Sequence, residues 1–229
     1  MEKKYTFDDL LEIVKTLRGE GGCPWDMEQT HQSIKHDIIE EGYELIEELD
    51  KNNWESVADE SGDLLLQIVF HAQIGVENNE YNMEDVINAV CRKLIHRHPH
   101  VFGDVKVKDS AEVLDNWAQI KRDDRGQKTV AQDMSEVSKY LPALMRAEKI
   151  QDKAAKGGFV LSDPLFVADS VSKMMNVMLS SNETEVAEKY IGKMLFEIVS
   201  VAKRMGVDAE TALSKHTASL IQEYQKYED

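Results

Sequence analysis

Four carboxylates carry the chemistry that this sequence can do: Glu41, Glu44, Glu60 and Asp63. Glu41 and Glu44 stand three apart, and so do Glu60 and Asp63. On a helix that spacing puts each pair on one face. If the helices carrying them pack antiparallel, the four acids meet. Their surroundings matter more than their charge. Glu41 lies on the apolar stripe Ile34, Ile38, Leu45, Leu49, and Glu60 lies inside the stripe Val57, Leu64, Ile68. A lone carboxylate in an apolar setting costs several kcal/mol or takes up a proton. Several of them converging suit a hard cation such as Mg2+ or Mn2+. The plain alternative is a solvated acidic face, the reading given to Glu47, Glu48 and Asp50. Position relative to the apolar residues favours the metal for the other four.

Composition narrows the partners. A formal charge of −16 argues against nucleic acid, because phosphate backbones need a basic surface. A single nucleotide is still compatible, since a bound cation offsets its charge. No apolar run is long enough to span a bilayer, and the first residues lack a signal peptide's apolar stretch. Two cysteines, Cys23 and Cys91, imply no disulfide framework and fit a reduced, cytoplasmic setting.

Almost no strand-like alternation occurs, so the fold expected is all-α. Helices are expected from Thr6 to about Leu17, from about Glu28 to Asp50, and from Asn52 or Asn53 to about Val76. The last of these, with LLLQIVFHAQI at 64–74, should be the most buried. A fourth runs from Asn82 to Pro99 and a fifth from about Asp109 to Arg122. The polar stretch 123–133 marks a boundary, giving a domain at 1–126, a linker at 127–134 and a second domain at 135–229. That second domain should hold helices at about Ser135–Lys156, 165–180, 183–205 and 209–226.

The second half reads as a copy of the first. Gly62-Asp-Leu-Leu-Leu-Gln-Ile-Val resembles Gly192-Lys-Met-Leu-Phe-Glu-Ile-Val, 130 residues on, and Gly21–Gly22 answers Gly157–Gly158. The apolar pattern is kept while the acids go: Glu60 becomes Tyr190 and Asp63 becomes Lys193. The fold does not need those carboxylates, which makes a structural role for them in the first copy less attractive.

Other residues admit two readings each. Lys93 and Arg97, four apart, could hold phosphate oxygens or simply favour a helix C-terminus. Trp117 and Lys121, also four apart, could be an aromatic plate with a phosphate cation, or a core indole with a solvated lysine. His96, His98 and His100 read as a packed helix end, His71 as a satisfied core histidine. His36–Asp37 is an isolated HD pair. Glu28 and His31 form a single ExxH motif, where a di-iron bundle needs two.

Taken together, Glu40-Glu41-x-x-Glu44 followed by Glu60-x-x-Asp63 resembles the EExxE…ExxD signature of the MazG nucleoside triphosphate pyrophosphohydrolases. GGCPWD at 21–26, RHPHVFGD at 97–104, NWAQIK at 116–121 and LPALMRAEKIQ at 141–151 extend the resemblance over nearly the whole chain. It implies tandem MazG-like helical bundles of the four-helix type, a homodimer, and Mg2+-dependent conversion of an NTP or dNTP to NMP and pyrophosphate. It further implies Glu41, Glu44, Glu60 and Asp63 as metal ligands and Glu40 as an acid that either supports those ligands or orients the water. By the same likeness Lys93 and Arg97 contact phosphates, and Trp117 with Lys121 lines the nucleotide site. The second repeat, carrying Tyr190 and Lys193, would be inactive. The alternative is a non-catalytic helical protein that binds a regulatory nucleotide or a partner.

Overall fold

A computed structural model describes residues 3–124, 126, 129–159 and 163–228. Among these, every regular element is helical. The chain divides into two compact units, Met1–Val113 and Leu114–Asp229.

In the first unit, α1 (Phe7–Arg18) opens on a capping box: Thr6 Oγ1 accepts from the Asp9 N–H, and Asp9 Oδ2 accepts from the Thr6 N–H. α2 (Pro24–Glu28) is a single turn led by proline. The long helix expected from Glu28 begins only at Asp37. Between them, Thr30 and Ser33 exchange side-chain-to-backbone hydrogen bonds of 2.9 and 3.2 Å, which compete with a helical ladder. Ile34 is buried all the same, inserted from this turn and not from a helix stripe.

α3 (Asp37–Lys51) and α4 (Trp54–Glu77) form a hairpin joined by Asn52 and Asn53. So short a link forces the chain to reverse, and it requires a left-handed residue: Asn52 has φ 56°. Lys51 then bridges Glu47 and Glu48 at 2.7 and 2.6 Å, and Asn53 Nδ2 donates to Glu48, so these two acids clasp the turn.

The core of this unit is Val14, Ile34, Val69, Phe70 and Ile74. All buried residues of α4 follow position 68, so its apolar half is packed while its acid-bearing half stays open. Leu65, Ile68 and Val76 are exposed, so only one face of this helix is covered. Arg18 forks onto Glu77 at 2.9 and 2.6 Å, and its other nitrogen donates to the Asp26 and Gln29 carbonyls. α5 (Met83–Arg97), capped by Asn82 and Asp85, stops at Pro99, which opens α6 (Pro99–Phe102).

α7 (Ser110–Asp124) spans the division between the units. In the stretch expected to be a linker, 127 and 128 lie outside the described residues, whereas α8 (Val130–Ser135) is a capped helix with Asp133 buried. The helix expected over Ser135–Lys156 is interrupted before α9 (Ala143–Lys156), because Pro142 cannot donate to a helical ladder and restricts Leu141. α10 (Pro164–Leu179), α11 (Thr184–Arg204) and α12 (Ala209–Glu228) complete the second unit.

The internal repeat is visible as packing. α1 meets α4, α3 meets α4 and α4 meets α5; correspondingly α9 meets α11, α10 meets α11 and α11 meets α12. Val69 and Val199, 130 residues apart, are both 1% exposed.

Candidate metal and nucleotide site

The α3–α4 hairpin gathers Glu41, Glu60 and Asp63, whose nearest carboxylate oxygens all lie within 4.8 Å of one another. Glu41 and Glu60 are half-buried and Asp63 is exposed. Glu40 and Glu44 are exposed on the same helix as Glu41. Partial burial raises the Glu41 carboxyl above its usual range, helped by the charges of Asp63, Glu44, Glu60 and Glu40. Glu60 is raised likewise by desolvation, then by Glu44, Asp63, Glu48 and Asp59. Glu44 is therefore electrically part of the group, although its oxygens are not among the three closest.

The donor set is all carboxylate oxygen, without sulfur or imidazole, which suits a hard divalent ion. A spread of up to 4.8 Å is close to twice a metal–oxygen distance of about 2.1–2.5 Å. The residues present thus fit such an ion without a backbone change. Among the described residues the second unit gathers no such group: Tyr190 is half-buried and Lys193 exposed at the positions of Glu60 and Asp63.

Lys93, exposed, and Arg97, half-buried, stand one turn apart on α5, which packs against α4. Trp117 and Lys121 belong to the second unit. There the Lys121 ammonium sits 5.0 Å from the centroid of the indole ring, and both line a cleft with α9. A cavity of about 410 Å3 between α1, α4 and the start of α5 shares no lining residue with the acids.

The histidines divide as their neighbours dictate. His98 Nδ1–H donates to the Leu94 carbonyl at 2.7 Å, and the His98 and His100 rings are tilted together, as befits a helix end. His71 differs from expectation. Its Nδ1 lies 2.7 Å from Nδ1 of His31, whose Nε2 is 3.1 Å from Glu80 Oε2, while His71 Nε2 is buried without a hydrogen-bond partner among the described residues. Burial and then His31 hold the His71 imidazole below its usual pKa, against the pull of Asp37. Sequence spacing gave no hint of this pair, because 40 residues separate its members.

The description "MazG nucleotide pyrophosphohydrolase domain" belongs to a family model that matches residues 29–102, the stretch containing all five signature acids. The chain is 38% identical over 223 residues to the nucleoside triphosphate pyrophosphohydrolase/pyrophosphatase MazG of Thermotoga maritima, covering 97% of this chain and 86% of that protein. It is 39% identical over 214 residues to the nucleoside triphosphate pyrophosphohydrolase of Escherichia coli strain K12, covering 91% of this chain and 81% of that protein. An uncharacterized protein of Bacillus subtilis is 44% identical over 147 residues, 64% of this chain and 30% of that protein.

Proposed function

Because the chain belongs to the MazG nucleotide pyrophosphohydrolase family, we propose that it hydrolyses nucleoside triphosphates, ribo or deoxy, to monophosphate and pyrophosphate. The reaction is assigned to the α3–α4 hairpin of the first repeat. The observation that carries the assignment is the convergence of Glu41, Glu60 and Asp63 on one partly dry spot, with Glu44 coupled to them.

Glu41, Glu44, Glu60 and Asp63 would hold Mg2+, with Mn2+ as a substitute. When bound, the ion polarises phosphate oxygens and offsets the charge developing on them. The protein's own part is positional. Glu40, next to Glu41 in the chain, would accept a hydrogen bond from the attacking water and aim it at the α-phosphorus. Lys93 and Arg97, one turn apart, would take the oxygens of the departing pyrophosphate, the guanidinium as a fork and the ammonium as a point charge. Raised carboxyl pKa values on Glu41 and Glu60 fit a cluster that wants a counter-ion.

Two further elements belong to this reading. The protein works as a homodimer in the cytoplasm. Ile39, Tyr43 and Ile46 on α3, and Ile87, Val90 and Leu94 on α5, form exposed apolar stripes at helical spacing, which a second copy would cover. Among the described residues no helix is long and apolar enough to cross a membrane.

The test is pyrophosphate release from a panel of NTPs and dNTPs, with magnesium and with EDTA. Release is expected only with the metal, accompanied by monophosphate and not by orthophosphate. Absence of release from every triphosphate, or undiminished release by Glu41→Ala, would overturn the reading.

A further inference from the structure

The second repeat has lost its acids, yet it carries a concentration of the opposite charge. α7, α8 and α9 enclose a cleft of about 210 Å3 within the second unit. Lys121 and Arg122 line it from α7, and Lys149, Lys153 and Lys156 line it from α9. The three α9 lysines fall at i, i+4 and i+7, the spacing of one helix face. Two carboxylates share the walls, Asp133 and Asp152. Each is already engaged: Asp133 by Lys153, and Asp152 by Lys203 of α11. Lys149 and Lys156 are exposed, and neither has an ion-pair partner among the described residues. In a chain of net charge −16, five cations around one cleft stand out from the average surface.

Size and chemistry narrow the occupant. Sites that enclose a whole drug-sized ligand run from about 300 to 1,000 Å3, and a cleft of about 210 Å3 is smaller. With the Lys121 ammonium over one face of the Trp117 ring, that face holds a cation and is not open to a base. A small anion with several charges is what remains. Linked phosphates can reach the Arg122 guanidinium of α7 and the exposed ammonium groups of α9 together, whereas a single phosphate spans fewer of them.

We propose that the α7–α9 cleft binds a linear diphosphate group, as free pyrophosphate or as the tail of a nucleotide, with lysines and Arg122 in place of a metal ion. The choice of diphosphate rests on the proposed reaction, which releases it; the cationic cleft does not. Metal-free neutralisation is the mode left to a repeat in which Tyr190 and Lys193 replace the acids.

Equilibrium dialysis of the full chain against radiolabelled pyrophosphate, with EDTA present, tests this. Saturation near one pyrophosphate per chain is expected, weakening steeply with added salt. Lys149→Gln/Lys156→Gln should lose affinity by about tenfold or more, as expected for removing charged phosphate contacts. Lys226→Gln, which removes one lysine charge from exposed α12, should leave it within about twofold, with thermal melts verifying that both variants fold. Glu41→Gln should release no pyrophosphate in the turnover assay yet bind it here, which separates this proposal from the hydrolase reading. A non-hydrolysable NTP analogue that competes, beside a monophosphate that does not, places recognition on the diphosphate. No metal-free binding would overturn the proposal. So would binding that survives the double substitution, or orthophosphate or nucleoside monophosphate binding as tightly as pyrophosphate.

Discussion

Replacing Glu41 by Gln should stabilise the metal-free protein while abolishing turnover. The substitution keeps the side chain's shape and deletes one charge from a group whose oxygens lie within 4.8 Å. Two like charges at that distance repel by about 0.9 kcal/mol at water's dielectric constant. The fully screened value is the appropriate one, because Asp63 is exposed and Glu41 only half-buried. For a unit of roughly a hundred residues, about 1 kcal/mol moves the melting midpoint by about 4–8 °C, so Glu41→Gln should melt a few degrees higher in EDTA. Magnesium reverses the order. At a free concentration about a hundred times its Kd, a ligand adds about 2.7 kcal/mol to the protein that binds it, and the variant forgoes most of this. The pH dependence has a definite sign. Glu41 titrates above its usual 4.5 in the folded chain, so the folded state holds the proton more tightly than the unfolded one. Its contribution to stability is present below about pH 4.5 and is lost as pH rises through the folded value. The advantage of Glu41→Gln should therefore be full at pH 8 and vanish near pH 4. Differential scanning calorimetry in EDTA and in saturating magnesium, at both pH values, measures all three effects. If the variant melts lower than the parent in EDTA at pH 8, or if magnesium raises both equally, the acids are not a strained cation site.

Lys93→Ala and Arg97→Ala should each lower kcat/KM by about 10–150-fold, the equivalent of one charged hydrogen bond of about 1.5–3 kcal/mol. Magnesium-dependent stabilisation without nucleotide should be untouched, and a loss there would show that these residues shape the acids instead. Lys193→Ala should leave the rate within about twofold, as an exposed substitution in the second repeat; a large loss in steady-state assays would place chemistry in that repeat. Arg18→Ala removes a guanidinium whose side chain is 4% exposed and which ties Glu77 to the Asp26 and Gln29 carbonyls. Breaking a buried pair costs about 3–5 kcal/mol. Glu77 retains some contact with water, so about 3 kcal/mol is expected by urea denaturation, and less than 1 would mean the fork is ornamental to the fold.

What the sequence discloses depends on how far apart the cooperating residues lie. The α3–α4 hairpin was legible because its acids, its stripes and its Asn52–Asn53 turn are all local. The start of α3 was not, because apolar periodicity continues through Ile34 while Thr30 and Ser33 divert the backbone by a competing set of hydrogen bonds. The gap before α9 was legible in principle from Pro142, but the flanking residues pattern like a helix and hid it. His31 and His71 could not be joined from spacing at all, nor could Lys121 be set beside Lys149 and Lys156. Such pairings depend on tertiary packing.

The two repeats are the same packing scheme built with and without the acids. Val69 and Val199 occupy corresponding positions, and both are almost completely buried. Corresponding helices pair in both units. Where packing requires an apolar side chain the two copies agree, so the second copy is under the same folding constraint as the first. Glu60 and Asp63 are replaced by Tyr190 and Lys193 without loss of that packing. In the first copy, then, mutual repulsion and desolvation of Glu41 and Glu60 are tolerated for a reason other than folding. A bound cation removes both penalties at once, which a protein partner supplying single lysines on flexible stems would do less completely.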